Sequence, residues 1–359
     1  MGQELCHNNN NMNQSLNDYS FLSKSFSSKN EKHLLESVKF GTIETKDSVK
    51  VLGEYKIGNK IGMGSYGVVY HAVHPYRKMQ YAIKCINKQK ITLSGNDKTM
   101  EHLLTEIEVM STIQSQNIIR LYDIFQDQTN YYLVLDYCDS GDFVAFLKKK
   151  GQSYLEEKEA IYFLKQLRDA FIVLRKHQVM HRDIKLENLF VNGTTLKLGD
   201  FGFSKKGNDT AHSILGSKFN MAPEILLSIG KTARYNYKCD LWSIGCVFYQ
   251  MLFGKKFNQN SCGQGSLKHQ IKSIQQYKKE NLTFPRQVSE NTKHLLKGLL
   301  TKDTAKRMSF EQFFQHPVFG QDINREQHFT STDIANRNQK VIQAKQYTIY
   351  GNQQRRYYN

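Results

Sequence analysis

The 359-residue sequence holds one tryptophan, four prolines and six cysteines, and each shortage removes a class of protein. With so little proline, a collagen-like chain is excluded. The cysteines at 6, 85, 138, 239, 246 and 262 show neither zinc-ligand spacing nor disulfide-framework density, so reduced thiols are expected. No apolar run approaches the roughly 18 residues of a membrane span. The nearest, Leu241–Leu252, is too short and carries Ser243 and Gln250. The N-terminus lacks the apolar segment of a signal peptide, so a cytoplasmic location is expected, with the nucleus as alternative. Hydrophobic residues at 39% and charged ones at 23% fit a globular chain with polar extensions and exclude full disorder.

Acidic residues are the other shortage: 33 against 50 Lys and Arg, for a net charge of +17. Residues 1–50 are neutral and 320–359 carry +3, which leaves +14 on 51–319. A basic globular domain suits a polyanionic surface or a pocket for an anionic ligand. No nucleic-acid-reading motif accompanies the charge, so nucleic acid is not expected as the primary partner.

Residues 1–50, Asn-rich around 8–13, read as a disordered lead-in, with a weak helix over Lys32–Val38. The Gln/Asn/Arg/Tyr-rich tail at 320–359 also lacks the makings of a core. Between them, Tyr55–Lys60, Val68–Val73, Tyr81–Ile86, Ile119–Gln126 and Tyr131–Asp136 read as strands. Leu103, Leu104, Ile107, Met110 and Ile113 recur at helical spacing, as do Ala160, Phe163, Leu164, Leu167, Phe171 and Leu174. Leu241–Leu252 is apolar nearly all round, the pattern of a helix buried inside a lobe. Strands first and helices after predict an α+β chain rather than an alternating parallel sheet.

Gly62-Met63-Gly64-Ser65-Tyr66-Gly67 has a spacing shared with dinucleotide-binding folds. Here strands are expected on both sides, so the glycines belong to a hairpin whose N–H groups can approach phosphate oxygens. Lys84 follows in the apolar run Tyr81-Ala82-Ile83, where an unpaired ammonium would cost several kcal/mol. It needs an anion, and Glu106 or Glu108 on the next helix can supply one. His181-Arg182-Asp183-Ile184-Lys185-Leu186-Glu187-Asn188 and Asp200-Phe201-Gly202 then gather acids, an amide and a lysine within twenty residues of one another.

In their order and spacing these motifs, with Ala222-Pro223-Glu224, resemble the eukaryotic protein kinases over about residues 55–319. The resemblance implies a bilobal kinase fold: a small antiparallel-sheet N-lobe with one helix (51–136), a hinge (136–141) and a larger, mainly helical C-lobe (142–319). It implies ATP and Mg²⁺ as cofactors and proteins with Ser or Thr acceptors as substrates. Asp183 would accept the acceptor hydroxyl's proton and Lys185 would neutralise the moving phosphoryl group. Lys84 would hold the α- and β-phosphates and be held by Glu106, while Asn188 and Asp200 would bind the metal. Ile61, Gly62, Gly64, Gly67, Val69 and Ala82 would cover the nucleotide, with Phe190 beneath. The backbone of Asp136 and Cys138 would meet adenine, Leu135 would guard the back pocket, and Asp142 would meet the ribose. Cys138 also has a reactive-thiol reading beside that of a small linker residue.

By the same resemblance, Glu224 pairs with Arg307, Asp240 accepts catalytic-loop N–H groups, and Ser217 bonds Asp183 and Lys185. Lys185 and Gly216-Ser217 mark the Ser/Thr branch, and Phe203 favours serine acceptors. Ser213 matches the activation-loop site for an upstream kinase, with Thr210 second and Arg182 as receiver of the phosphate. Arg307–Pro317, Gly202-Phe203 and Leu241–Gly245 look like the autophagy-initiating ULK group. Met1-Gly2 opens a near-match to a myristoylation signal in which Cys6 replaces Ser/Thr and offers a palmitoyl site. The alternative to an active enzyme is a catalytically silent kinase-fold scaffold.

Overall fold

The computed structural model describes residues 38–46, 48–64, 67–93, 97–206, 220–228, 236–257 and 267–320. The chain divides into two compact units after Val318, and everything below concerns the first. It opens with strands β1 (Lys39–Phe40), β2 (Glu44–Lys46), β3 (Val49–Leu52), β4 (Tyr55–Gly64), β5 (Gly67–His74) and β6 (Met79–Asn87). Helices α1 (Lys88–Leu93) and α2 (Asp97–Thr112) precede β7 (Leu121–Gln126) and β8 (Asn130–Asp136). The strands form one sheet in the order β1-β7-β8-β6-β5-β4-β3-β2.

That order forces a strong curl. β1 and β2 lie at opposite edges, yet only residues 41–43 join them. Such a link reaches at most about 14 Å, whereas eight flat strands would be about 34 Å wide. Side chains fasten the curled sheet. Asp123 on β7 accepts from Lys39 Nζ of β1 at 2.9 Å and from Tyr55 Oη of β4 at 2.5 Å. Leu52, Tyr55, Tyr81, Ile83, Tyr132 and Val134 pack as a buried cluster inside.

This arrangement corrects the reading of residues 1–50 as a lead-in without a core, from Lys39 onward. β1 and β2 belong to the sheet, and β3 begins at Val49. Strands of two and three residues with exposed side chains show no alternation, so no periodic signal marked them. β1 pairs with β7 in parallel, so the sheet is not wholly antiparallel as expected, and the short α1 joins the single expected helix. Residues 32–37 of the expected weak helix, and the tail beyond Gly320, lie outside the described residues.

The second lobe contains α3 (Phe143–Lys149), α4 (Glu157–Lys176), β9 (Val179–Met180), β10 (Leu189–Asn192), β11 (Thr195–Leu198) and β12 (Lys205–Lys206). Helices α5 (Pro223–Leu226), α6 (Lys238–Phe253), α7 (Leu267–Gln276), α8 (Glu290–Leu299) and α9 (Phe310–Phe314) follow. α4 buries Ala160, Phe163, Leu164, Leu167, Phe171 and Leu174, the face its periodicity marked, together with Ala170. α6 is buried on nearly every side. Its polar members are accounted for: Ser243 Oγ donates to Asn220 O at 2.8 Å, and the Asp240 carboxylate accepts two backbone N–H groups. Arg307, fully buried, meets Glu224 through two parallel bonds of 2.8 Å, fixing the segment after 220 against the lobe.

Leu52 is wholly buried where β3 closes the curled sheet. Leu52→Ala should cost about 2–5 kcal/mol of unfolding free energy in urea titration. A loss under about 1 kcal/mol would mean that the segment before Tyr55 does not share the core.

Candidate active site

The glycine-rich segment is the β4–β5 hairpin, with Gly62 opposite Val69 and Gly64 opposite Gly67. Its glycines are not equivalent. A Cβ at Gly67 would stand 1.6 Å from the Cys85 carbonyl oxygen, so the sheet itself demands glycine there. A Cβ at Gly62 would meet only Val69 at ordinary contact distance. The protein's own packing therefore leaves Gly62 unexplained, whereas close approach of a ligand to the backbone accounts for it. The register slips on both sides of Lys60, leaving Ile61 without a partner across the hairpin and 47% exposed.

Cross-strand pairing puts the expected covering residues on one face. Gly62 lies opposite Val69, Val69 opposite Lys84, and Ala82 opposite Leu135. Directly opposed residues point the same way, and so do residues two apart, so these five share a face. Lys84 Nζ reaches both Glu106 oxygens, at 2.7 and 2.8 Å, which settles the partner in favour of Glu106 over Glu108. Met110, one turn along α2, is buried on the same side. Burial pushes the Glu106 carboxyl above its ordinary value; Lys84 pulls it back, and the charge of Asp200 pushes it up again.

In the second lobe, Asp183 and its neighbours form a compact polar knot. The Asp183 side chain is fully buried, and its Oδ2 accepts from Lys185 Nζ at 2.6 Å and Asn188 Nδ2 at 3.0 Å. Asn188 Nδ2 also donates to Asp183 O at 2.8 Å, which fixes its amide and turns its oxygen end away from the carboxylate. Asn188 O accepts from Gly199 N at 3.0 Å, tying this knot to the residue before Asp200. Arg182 and Asp200 both have positive φ, 69° and 61°, a conformation kept only where surroundings over-determine it.

Those surroundings are visible. Asp240 Oδ2 and Oδ1 accept from the N–H groups of His181 and Arg182, each at 2.8 Å. His181 Nε2 lies 3.0 Å from Gly199 O, and its Nδ1 accepts from Asp183 N at 3.3 Å. These partners assign a neutral ring with its proton on Nε2. Burial lowers its basicity, so His181 is a support and not an acid or base. Its ring also packs on that of Phe201, 4.9 Å between centroids. Arg182 donates from Nε to Phe203 O at 2.5 Å, which draws in the start of the following segment.

β10 and β11 pair antiparallel, and Phe190 of β10 is bridged to Asp142 at the end of the crossing segment. Asp142 does more than expected, because its Oδ1 caps α3 by accepting from Ala145 N at 2.8 Å. Cys138 O accepts from Gly141 N at 3.1 Å. Asn220 had no motif to announce it, yet its Nδ2 donates to Ile184 O at 2.9 Å, beside Asp183. Lys197 and Tyr122 were equally silent in the sequence, yet Lys197 Nζ and Tyr122 Oη each lie 2.9 Å from a carboxylate oxygen of Asp136. Thr210, Ser213, Gly216 and Ser217 lie outside the described residues, as do Gly2 and Cys6.

The donor set can be tested against Mg²⁺. Among the described residues no group of three or more His, Cys, Asp or Glu could hold a metal alone. Asp200 and Asn188 would supply two hard oxygens, leaving other positions to phosphate and water, the usual state of a protein-bound Mg²⁺. The fit is good.

Comparison with known proteins adds the decisive observation: residues 55–319 match the model of the protein kinase domain. The chain belongs to the protein kinase family. It is similar to the serine/threonine-protein kinase atg1 of Dictyostelium discoideum, 32% identical over 75% of this chain and 39% of that protein. It is 34% identical to serine/threonine-protein kinase ATG1c of Arabidopsis thaliana over 75% of this chain and 36% of the relative. Serine/threonine-protein kinase ULK3 of Xenopus laevis matches at 34% over 74% of this chain and 55% of its own length. The chain thus spans between about a third and about half of these relatives. The kinase resemblance and its subgroup, read from motifs, agree with these matches. Among the described residues no helix is long and apolar enough to cross a membrane.

Because its folded value is raised, Glu106 should titrate above its ordinary 4.5 in a ¹³C carboxyl NMR experiment. Lys84→Met removes the cation that lowers it, so the midpoint should climb further. In that variant the fold binds the proton more tightly than the unfolded chain does, so its melting temperature should rise as pH falls from 7 through that midpoint. A midpoint that drops in Lys84→Met would refute the pairing.

Proposed function

We propose that this protein is a serine/threonine kinase that transfers the γ-phosphoryl group of Mg-ATP to protein hydroxyls, serine above all. The observation that carries the reading is twofold: Lys84 is paired with Glu106, whose carboxyl feels the charge of Asp200, and Gly199, next to Asp200, bonds Asn188, which with Lys185 holds Asp183. Kinases use ATP with Mg²⁺; Asn188 and Asp200 are the residues that would hold the ion, which would supply charge neutralisation to the phosphates.

The roles of this chain's own groups follow from their chemistry. Lys84 binds the α- and β-phosphates while Glu106 fixes its direction. Gly62, Gly64 and Gly67 let the hairpin backbone close over the phosphates, and Ile61, Val69 and Ala82 cover the base from above. Phe190 supports it from below, Asp136 and Cys138 present backbone to its edge, and Asp142 keeps one oxygen for the ribose. Asp183 orients the acceptor hydroxyl and takes its proton as the oxygen attacks the γ-phosphorus and the bond to the β-phosphate oxygen breaks. Lys185, already on Asp183, offsets charge on the transferred group. The loop carrying Asp183 is held by His181, Asp240 and Asn220, none of which is assigned a contact with substrate.

Control would act on the segment after Phe203. Arg182 stands between Asp240 and the start of that segment, which suits it to receive a phosphate placed on Ser213 by an upstream kinase. The free thiols among the described residues support a reducing compartment, the cytoplasm first and the nucleus second.

ATP turnover on a generic basic protein tests the assignment. Asp200→Ala should lower it by about a hundredfold or more, and a wild type no faster than Asp200→Ala would favour the silent scaffold. Stoichiometric phosphorylation at Ser213 should raise kcat/KM about tenfold through new charge-assisted bonds. Equal rates for that form and Ser213→Ala would remove the proposed control.

A further inference from the structure

Asp136 opens the segment that crosses between the lobes, and its carboxylate is unusually well held for a residue expected to serve through its backbone. Its Oδ1 accepts from Tyr122 Oη at 2.9 Å. Its Oδ2 accepts from Arg120 N at 2.9 Å and meets Lys197 Nζ at 2.9 Å. Asp136 N in turn donates to Arg120 O at 3.0 Å. Tyr122 and Arg120 belong to the sheet lobe or the approach to it; of the three donors, only Lys197 comes from the other lobe. The lysine and aspartate side chains are 14% and 13% exposed, so solvent screens this pair far less than a surface pair.

The place of Lys197 gives the pair its meaning. It lies on β11 directly opposite Phe190 of β10, the residue beneath the proposed base slot. Its neighbour Leu198 is tied to residues 117–119 through Leu198 N–Asn117 O at 2.8 Å and Ile119 N–Leu198 O at 2.9 Å. One strand pair therefore carries the floor of the slot and, through Lys197, a bond to the first residue of the crossing segment. Asp183 and Lys185 lie on a separate loop and take no part in this bond.

We infer that Lys197 is a positioning residue for nucleotide binding: through the Asp136 carboxylate it fixes the crossing-segment backbone above the Phe190 floor, and so sets the opening into which the base fits. This deepens the kinase reading and rests on it. Loss of the bond should weaken capture of Mg-ATP and spare the chemical step, whereas a purely structural pair would change thermal stability alone.

The test uses the full chain with a generic basic protein as acceptor and varied Mg-ATP. Lys197→Met should raise KM for ATP about tenfold, with kcat at saturating ATP within about twofold of wild type. Lys197→Arg, which keeps the charge and reach, should restore KM to within about twofold. Asp136→Asn should raise KM in the same direction, and the double variant should be no worse than the poorer single one, because both remove one interaction. If Lys197→Met fails to fold, Lys197→Gln is read in the same way. An active Lys197→Met enzyme with unchanged KM, a parallel fall in kcat, or no recovery in Lys197→Arg would overturn the inference and leave the kinase reading intact. Wild type and Asp200→Ala turning over ATP equally would sink both.

Discussion

Lys84 sits in the middle of a β-strand, between the buried Ile83 and half-buried Cys85, where a lone ammonium would be costly. The Glu106 carboxylate relieves that cost only while α2 stays docked on the sheet, and α2 docks because Leu103, Leu104, Ile107, Met110 and Ile113 are buried. The position of the helix and the direction of the lysine are thus one constraint. Losing the lysine while the helix stays docked leaves a buried carboxylate beside the like charge of Asp200, and undocking the helix takes the Glu106 carboxylate away from Lys84, so either break falls on groups that would face a triphosphate.

The other lobe solves a comparable problem with a buried acid beneath a strained loop. Arg182 and Asp200 hold left-handed backbone conformations that side chains normally avoid. Asp240, on a helix otherwise buried among apolar groups, spends its carboxylate on the N–H groups of His181 and Arg182. Asn220 grips the carbonyl two residues further on. The loop carrying Asp183 is therefore held on both sides by polar groups that are themselves satisfied, which lets it keep a shape its own residues would not choose. His181 completes the arrangement as a neutral spacer between Gly199 and Asp183.

Much of this was legible because the signals were repeated. The long strands alternate, α4 and α2 show helical periods, and Lys84 is conspicuous as a charge in an apolar run. Gly67 is a glycine the sheet requires, whereas Gly62 points to a ligand, and only coordinates separate the two. The strands before Val49 escaped notice because two or three exposed residues have no period, and because their partner, Phe125–Gln126, is far away in sequence. Lys197 and Asn220 escaped for a different reason: each is a single polar residue whose importance lies in a partner tens of residues distant. Glu106 differed only in having a recognisable lysine to answer.

Cys138 shows how the same surroundings decide between two chemistries. A thiol in a nucleotide slot invites a nucleophilic role, which requires the thiolate. Burial, reinforced by Asp136, pushes this thiol up to about 12, with Lys197 opposing too weakly to reverse it. At neutral pH only about one such thiol in 10⁵ is then ionised. The carboxylate that holds the crossing segment in place thus adds to the burial that suppresses thiolate formation two residues later. In the proposed kinase reading, Cys138 would bring backbone, not sulfur, to the slot.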